Sequence, residues 1–415
     1  MKKELRQMWR FPWGYKESIA IVLGVMGIGI LLQLILGNFN FFFLAYPVNI
    51  VCGGVLVFLL LGLLLIRKST FYKWLSGAPL AVILIGVMLV LTLIMGLTPQ
   101  VSSSIIPEKD FFSRLGFTQM TTSWPFVLLY LFLLIALGSL ILRRIYPFKK
   151  SDLAFYCTHI GLWIFLFTAG LGASDIKRYV MYVYENQVEW RVYDSEENVL
   201  ELPIAIQLND FIMEEYPPKL AIIDRETGAV QPENRIDLFQ IDENRMKGKL
   251  WMFDLEVEEY IHEAVRNSDS TYAEVYMPGA SPAAFVKIQN DSIVRQGWVS
   301  GGNRAQLYMT LPIDSSYTLV MTQAEPKRFI SDIDVFMDDG SVQHALLEVN
   351  KPLRIGHWTI YQYGYDNEAG KMSNYSAFEL VYDPWLPWVY VGIIILAVGC
   401  VILLWSGHKQ KGGKK

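Results

Sequence analysis

The chain has 415 residues, 53% of them hydrophobic and 14% aromatic, with a mean hydropathy of +0.29 and a formal charge of −4. That is too apolar for an ordinary soluble enzyme, and the length permits two or three domains. Its cysteines, Cys52, Cys157 and Cys400, all fall in apolar runs. The long polar stretch therefore has no disulfide, C-x-x-C pair or thiolate metal cluster, which excludes a thiol oxidoreductase.

In chain order, six runs reach the ~20 apolar residues needed to cross ~30 Å of hydrocarbon. They lie at about 17–36, 45–66, 79–97, 125–142, 152–173 and 386–405, the third bracketed by Pro79 and Pro99. The first follows a basic segment, "MKKELRQMWRFPWGYKES", with no small-residue cleavage site, and reads as a retained span. Positive charge recurs at one side of the spans: Lys2, Lys3, Arg6, Arg10 and Lys16; Arg67, Lys68 and Lys73; Arg143, Arg144, Lys149 and Lys150; and Lys409, Lys411, Lys414 and Lys415. The loop 99–125 carries only Lys109 and Arg114 against Glu108 and Asp110. Positive loops stay in the cytoplasm, so both termini are expected inside a bacterial cytoplasmic (inner) membrane.

Residues 174–384 are then expected outside. They hold 35 of the 40 acidic and 18 of the 36 basic side chains, a formal charge of −17, which argues against nucleic acid as a partner. Segments such as "YVMYVYENQVEWRVYD" and "DIDVFMDDGSVQHALLEV" alternate polar and apolar residues between Gly, Pro, Asn and Asp turn signals. The stretch "MKGKLWMFDLEVEEYIHEAV" reads as a strand running into a short helix. The expected fold class is an α-helical transmembrane bundle of about six spans with a large, mainly antiparallel β domain, a sandwich or open barrel. Four regions follow: 1–124 with three spans and an outside loop, 125–173 with spans four and five, the β-rich domain 174–384, and 385–415 with the last span and a basic tail.

His159 is the one histidine inside a span, roughly nine residues or about 13 Å of rise beyond Lys150. One reading is a helix–helix hydrogen bond worth ~0.6–2 kcal/mol. The others are a proton relay, a quinone contact and metal or haem ligation. A relay normally needs further acidic or histidine residues in the spans, and a bis-imidazole haem needs a second membrane histidine; this chain has neither, so a second haem ligand must come from elsewhere. Phe155, Leu162, Trp163 and Leu166 flank His159 on one apolar, aromatic face. Gly161, Ala169, Gly170 and Gly172 allow a second helix to approach. Arg143, Arg144, Lys149 and Lys150 satisfy the positive-inside rule and also stand where haem propionates would enter. His357, with Trp358, Tyr361, Tyr363 and Tyr365, reads as strand and core. No P-loop, dinucleotide fingerprint, H-E-x-x-H or Ser/His/Asp signature is present.

"EVNKPLRIGHWTIYQYGYDN" followed by "SAFELVYDPWLPWVYVGIIILAVGCVI" resembles the ResB/CcsB family of cytochrome c biogenesis proteins. The residues that carry the likeness are Asn350, Pro352, Leu353, Gly356, Tyr361, Gln362, Tyr365, Asp383 and Pro384. "ELPIAIQLNDFIMEEYPP", "EPKRFISDIDVFMDDG" and "THIGLWIFLFTAGLG" resemble further family segments, and His159 falls on the family's membrane histidine. The chain departs in having five spans before its β domain where the family typically has about three. The resemblance implies a subunit of the System II haem chaperone and holocytochrome c synthase, working with a CcsA-like membrane protein. It implies transient binding of haem b, with His159 as an axial ligand to the iron, and transfer of haem to an apocytochrome c. It names no catalytic residue in this chain. The rival reading is a membrane-anchored extracytoplasmic binding or sensing protein in which His159 is only structural; a quinone-linked dihaem carrier would need paired membrane histidines.

Overall fold

The computed structural model describes residues 9–101, 111–242, 246–268, 271–277 and 279–412. Lys2, Lys3, Arg6, Glu108, Lys109, Asp110, Lys414 and Lys415, used above to orient the chain, lie outside the described residues. Two compact units emerge: residues 1–177 with 382–415, and residues 178–381.

The first unit is helical. Its helices are α1 (Tyr15–Leu36), α2 (Val48–Leu63), α3 (Thr70–Leu75), α4 (Ala78–Leu97), α5 (Phe111–Arg114), α6 (Trp124–Ile145), α7 (Leu153–Gly172) and α8 (Leu386–Gly412). Among the described residues six segments are long and apolar enough to cross a membrane: α1, α2 extended to Ile66, α4, α6 with its lead-in from Phe111, α7 with its first turn from Lys150, and Leu386–Trp405 of α8. This is a multi-pass membrane protein. Proline opens α4 and α6, where its missing N–H costs nothing. Ser69 caps α3 by accepting from the Tyr72 N–H at 3.1 Å. α8 continues through the basic tail as far as Gly412.

The second unit is antiparallel β structure, as the alternation predicts. Its largest sheet has eight strands in the order Val342–Glu348, Pro326–Met337, Val199–Glu215, Val188–Tyr193, Lys177–Tyr184, Tyr375–Tyr382, Trp358–Tyr365 and Leu353–Ile355. Its core residues come from its own strands, including Met181, Val192, Ile206, Val335, Ile360 and Phe378. A lone sheet buries one face only by curling around it, so this one is nearly closed. A five-stranded and a four-stranded sheet share a second core, in which Leu220, Ile222 and Leu319 meet Leu255, Val286 and Ile288. The short helix expected near residue 260 is absent. Phe253–Ser268 is one continuous strand, with Lys247–Leu250 folded back on it. Cross-strand pairing to Ser281–Gln289 outweighs the local helix propensity of its glutamates.

Candidate functional site

α7 presents different residues to two neighbours. Toward α8 it offers backbone. An ideal Cβ at Gly161 would stand 2.4 Å from Leu396 N, one at Gly392 2.6 Å from Phe165 N, and one at Gly399 2.5 Å from Thr158 N. Each obstacle is main chain, which cannot swing aside, so the glycines set the helix separation. Of the small residues expected to admit a helix, Gly161 faces α8, Gly170 accommodates the ring of Tyr130 on α6, and Gly172 accommodates Trp385.

Toward α6, α7 is fastened by aromatic donors. The Trp163 indole donates to the Leu134 carbonyl at 3.1 Å and its ring stacks on Phe167 at 4.5 Å. The Tyr130 hydroxyl donates to the Leu166 carbonyl at 2.5 Å. Trp163, on the apolar face that suits a porphyrin, lipid or a neighbouring helix equally, is therefore committed to helix packing.

His159 lies six positions into α7, about 9 Å of rise from Leu153, and the helical turn Lys150–Asp152 precedes it in the same span. The half-buried ring stacks on Phe155 at 3.8 Å between centroids. Its Nδ1 is 3.0 Å from the Phe155 carbonyl and 3.0 Å from the Thr158 hydroxyl. That hydroxyl is itself within 2.9 Å of the Ala154 carbonyl and 3.1 Å of the Phe155 carbonyl, so its single proton is directed to the backbone. The Nδ1 proton then goes to Phe155 O, which fixes the tautomer and leaves Nε2 as a lone-pair donor. Among the described residues no hydrogen bond reaches Nε2 and none links His159 to another helix. An imidazole anchored through Nδ1 with an open Nε2 has the donor set that an iron ligand requires.

The basic residues near this end are not equivalent. The Arg144 guanidinium lies over the Phe155 ring, 4.6 Å from its centroid, and pairs with Asp152 at 3.4 Å. Arg143 points instead to the end of α3, where Nη1 reaches Ser76 Oγ at 3.0 Å and Lys73 O at 3.2 Å. Arg144 is thus one ring away from His159, while Arg143 serves a helix terminus. Among the described residues no group of three His, Cys, Asp or Glu side chains is placed to hold a metal.

At the far end of α7 stands a residue that the sequence reading passed over. Asp175 is 8% exposed and accepts from the Tyr46 N–H at 2.8 Å, Asn49 Nδ2 at 2.7 Å and Trp385 Nε1 at 2.7 Å. It ties the start of α2 and the approach to α8 to the exit of α7. The available signal was Asn49, a fully buried amide within an apolar span.

In the β unit the signature residues are architectural. Asn350 and Gly356 hold φ of 66° and 59°, the left-handed conformation that Asn and Gly tolerate, at the two turns flanking Leu353–Ile355. Gln362 accepts from Ser331 Oγ at 2.6 Å, and Ser331 in turn meets Ser376 at 2.8 Å inside the curled sheet. Tyr365 stacks on Phe211 and Phe329, at 5.2 and 5.0 Å. In the helical unit, Asp383 caps α8 by accepting from the Trp385 and Leu386 N–H groups, each at 3.0 Å. His357 is exposed in a hairpin turn, not in a strand as expected. Trp358 packs on the sheet's core, and Tyr361 and Tyr363 are exposed.

Arg328 bridges Glu214 at 3.0 Å and Glu348 at 2.7 Å, and Lys351 reaches Glu348 at 2.9 Å. Lys351 and then Arg328 hold the Glu348 carboxyl below its ordinary value of 4.5. A depressed carboxylate stabilises the fold above that value, and the contribution is lost as pH falls through the folded-state value. Thermal stability should therefore decline below about pH 4.5, and Glu348→Gln should flatten that decline. Melting curves of the full chain from pH 3 to pH 7 check this; equal acid slopes in both proteins would place the dependence elsewhere.

Among curated proteins none matches the chain. Residues 304–374, the stretch holding Arg328, Ser331, Glu348, Asn350, Gly356 and Gln362, match the ResB-like family, which is associated with cytochrome c biogenesis.

Proposed function

We propose that this chain is the membrane subunit of a System II cytochrome c maturation complex. In this reading it holds haem b at the basic end of α7 and passes it outward for attachment to apocytochrome c. The observation that carries the reading is the state of His159: Nδ1 is tied to its own helix beside the Phe155 ring that Arg144 covers, which leaves the Nε2 lone pair for a ligand. The ResB-like match in the β unit supports the same pathway. Haem is cargo here. Nε2 supplies one ligand to its iron, and Arg144 supplies positive charge for a propionate.

The other imidazole is assigned to a CcsA-like partner, because this chain has no second membrane histidine. Thioether formation is assigned to that partner as well. In this reading both termini lie in the cytoplasm and residues 174–384 on the outer side of the bacterial inner membrane, an orientation that the positive-inside rule supports. The glue reading expects a bond to a neighbouring helix, whereas the His159 bond stays within α7.

Depleting the chain from its native cells tests the proposal. Covalently haem-stained c-type cytochromes should disappear, while b-type haem remains and the apocytochromes are still exported. Normal haem staining after depletion would overturn it.

A further inference from the structure

A second basic site lies away from His159, where the turn after α2, helix α3 and the end of α6 converge. Arg67, Lys68, Lys73 and Arg143 surround a cavity of about 500 Å³ with Leu142 and Tyr146. The positive-inside rule accounts for basic residues at this end of the helices. It does not account for four cations from three segments lining one cavity without a counter-ion.

Among the described residues none of these four side chains makes an ion pair, whereas Arg144, one residue from Arg143, has Asp152. Two of the four are also held in place. Arg143 Nη1 is anchored on Ser76 and Lys73 O, while among the described residues Nε and Nη2 have no acceptor. The Arg67 guanidinium lies over the Tyr146 ring, 4.8 Å from its centroid. A guanidinium with one anchored nitrogen and an open edge is preorganised for a tetrahedral oxyanion. Apolar surface adjoins the cations: Tyr146 is 70% exposed, and Leu65, in the last turn before Arg67, is 90% exposed. At a membrane boundary, cations above exposed apolar side chains match a phosphate joined to acyl chains.

We infer that this pocket binds the phosphate of an anionic glycerophospholipid, with the headgroup among the four cations and the chains along the exposed apolar residues. A soluble phosphate shares the headgroup chemistry and lacks the chains.

The test uses the full chain in neutral detergent, with bound lipid counted by native mass spectrometry. Phosphatidylglycerol should be retained and should raise the melting temperature; phosphatidylcholine should do neither. Arg67→Ala with Lys73→Ala should weaken retention about thirtyfold, from ~1 kcal/mol per lost cation. Lys149→Ala with Lys150→Ala removes the same charge beside the pocket and should change retention by less than about twofold. Arg67→Lys with Lys73→Arg, which keeps the charge, should restore most of the binding and shows that the site tolerates substitution. Equal losses in the two alanine pairs would reduce the effect to diffuse surface charge and overturn the site. Displacement of the lipid by an equal concentration of inorganic phosphate would overturn the lipid assignment.

Discussion

His159→Ala is expected to lower the haem retained by the chain, co-purified with its CcsA-like partner, by about a hundredfold. Loss of an outer-shell partner alone typically costs 10–100-fold in metal affinity, and this change removes a ligand. The Soret absorption should weaken, its bis-imidazole features should be lost, and added imidazole should restore them by occupying the space that the side chain vacates. The fold should survive, because among the described residues the bonds lost are those to Phe155 O and Thr158, within α7. A half-buried ring bonded to its own helix contributes roughly 1 kcal/mol. Identical spectra in the two proteins would make His159 a packing residue and move haem handling wholly to the partner. Arg144→Ala adds a graded control. It leaves Nε2 in place, so it should weaken retention without changing the ligand features of the spectrum.

What is legible in the residues depends on the range of the interaction that decides it. Hydropathy is a local sum, so Pro79, Pro99 and the apolar runs mark the spans almost to the residue, and the 2-residue period of "YVMYVYENQVEWRVYD" marks β structure, which pairs as Lys177–Tyr184 with Val188–Tyr193. Phe253–Ser268 departs from the expected short helix because its glutamates favour helix locally, while its pairing to Ser281–Gln289 is decided by residues beyond an intervening strand, Thr271–Glu274. The motif residues were recognisable, but their function in folding was not. Asn350 and Gly356 shape turns, Gln362 satisfies buried serines, and Asp383 caps α8. A family signature made of turn, cap and network residues reports the fold of the β unit, and the chemistry has to be sought outside it. His159 was legible because an imidazole in an apolar run is costly. Its tautomer was not legible, since it depends on the directions of the Thr158 and Phe155 oxygens. For the same reason helical spacing puts Trp163 on the His159 face without saying what covers it; its indole is drawn to Leu134 O on another helix.

Asp175→Ala is expected to destabilise the helical unit by about 3–5 kcal/mol. The carboxylate gathers three donors whose sequence positions are more than a hundred residues away, and removing it leaves them facing one another in a buried space. Each orphaned buried donor costs ~1–3 kcal/mol. Asn49 keeps a second acceptor, Leu171 O at 3.1 Å, which moderates its share. Among the described residues Trp385 has no such alternative for Nε1, and its ring fills the space that the absent side chain of Gly172 leaves open. Release of the indole should loosen the start of α8 even though the Asp383 cap remains. Asp175→Asn retains one acceptor oxygen and should cost about half as much. Thermal unfolding of the purified full chain reads both changes, and a loss below about 1 kcal/mol for the alanine variant would mean that the three donors find other partners. The position of Asp175 makes the result separable from the haem experiment. His159 stands about 20 Å of helical rise from the end of α7 at Gly172, just before Asp175. Asp175→Ala should therefore lower the melting temperature while leaving the ligand features of bound haem unchanged. His159→Ala should do the reverse, because one residue secures the bundle and the other serves its cargo.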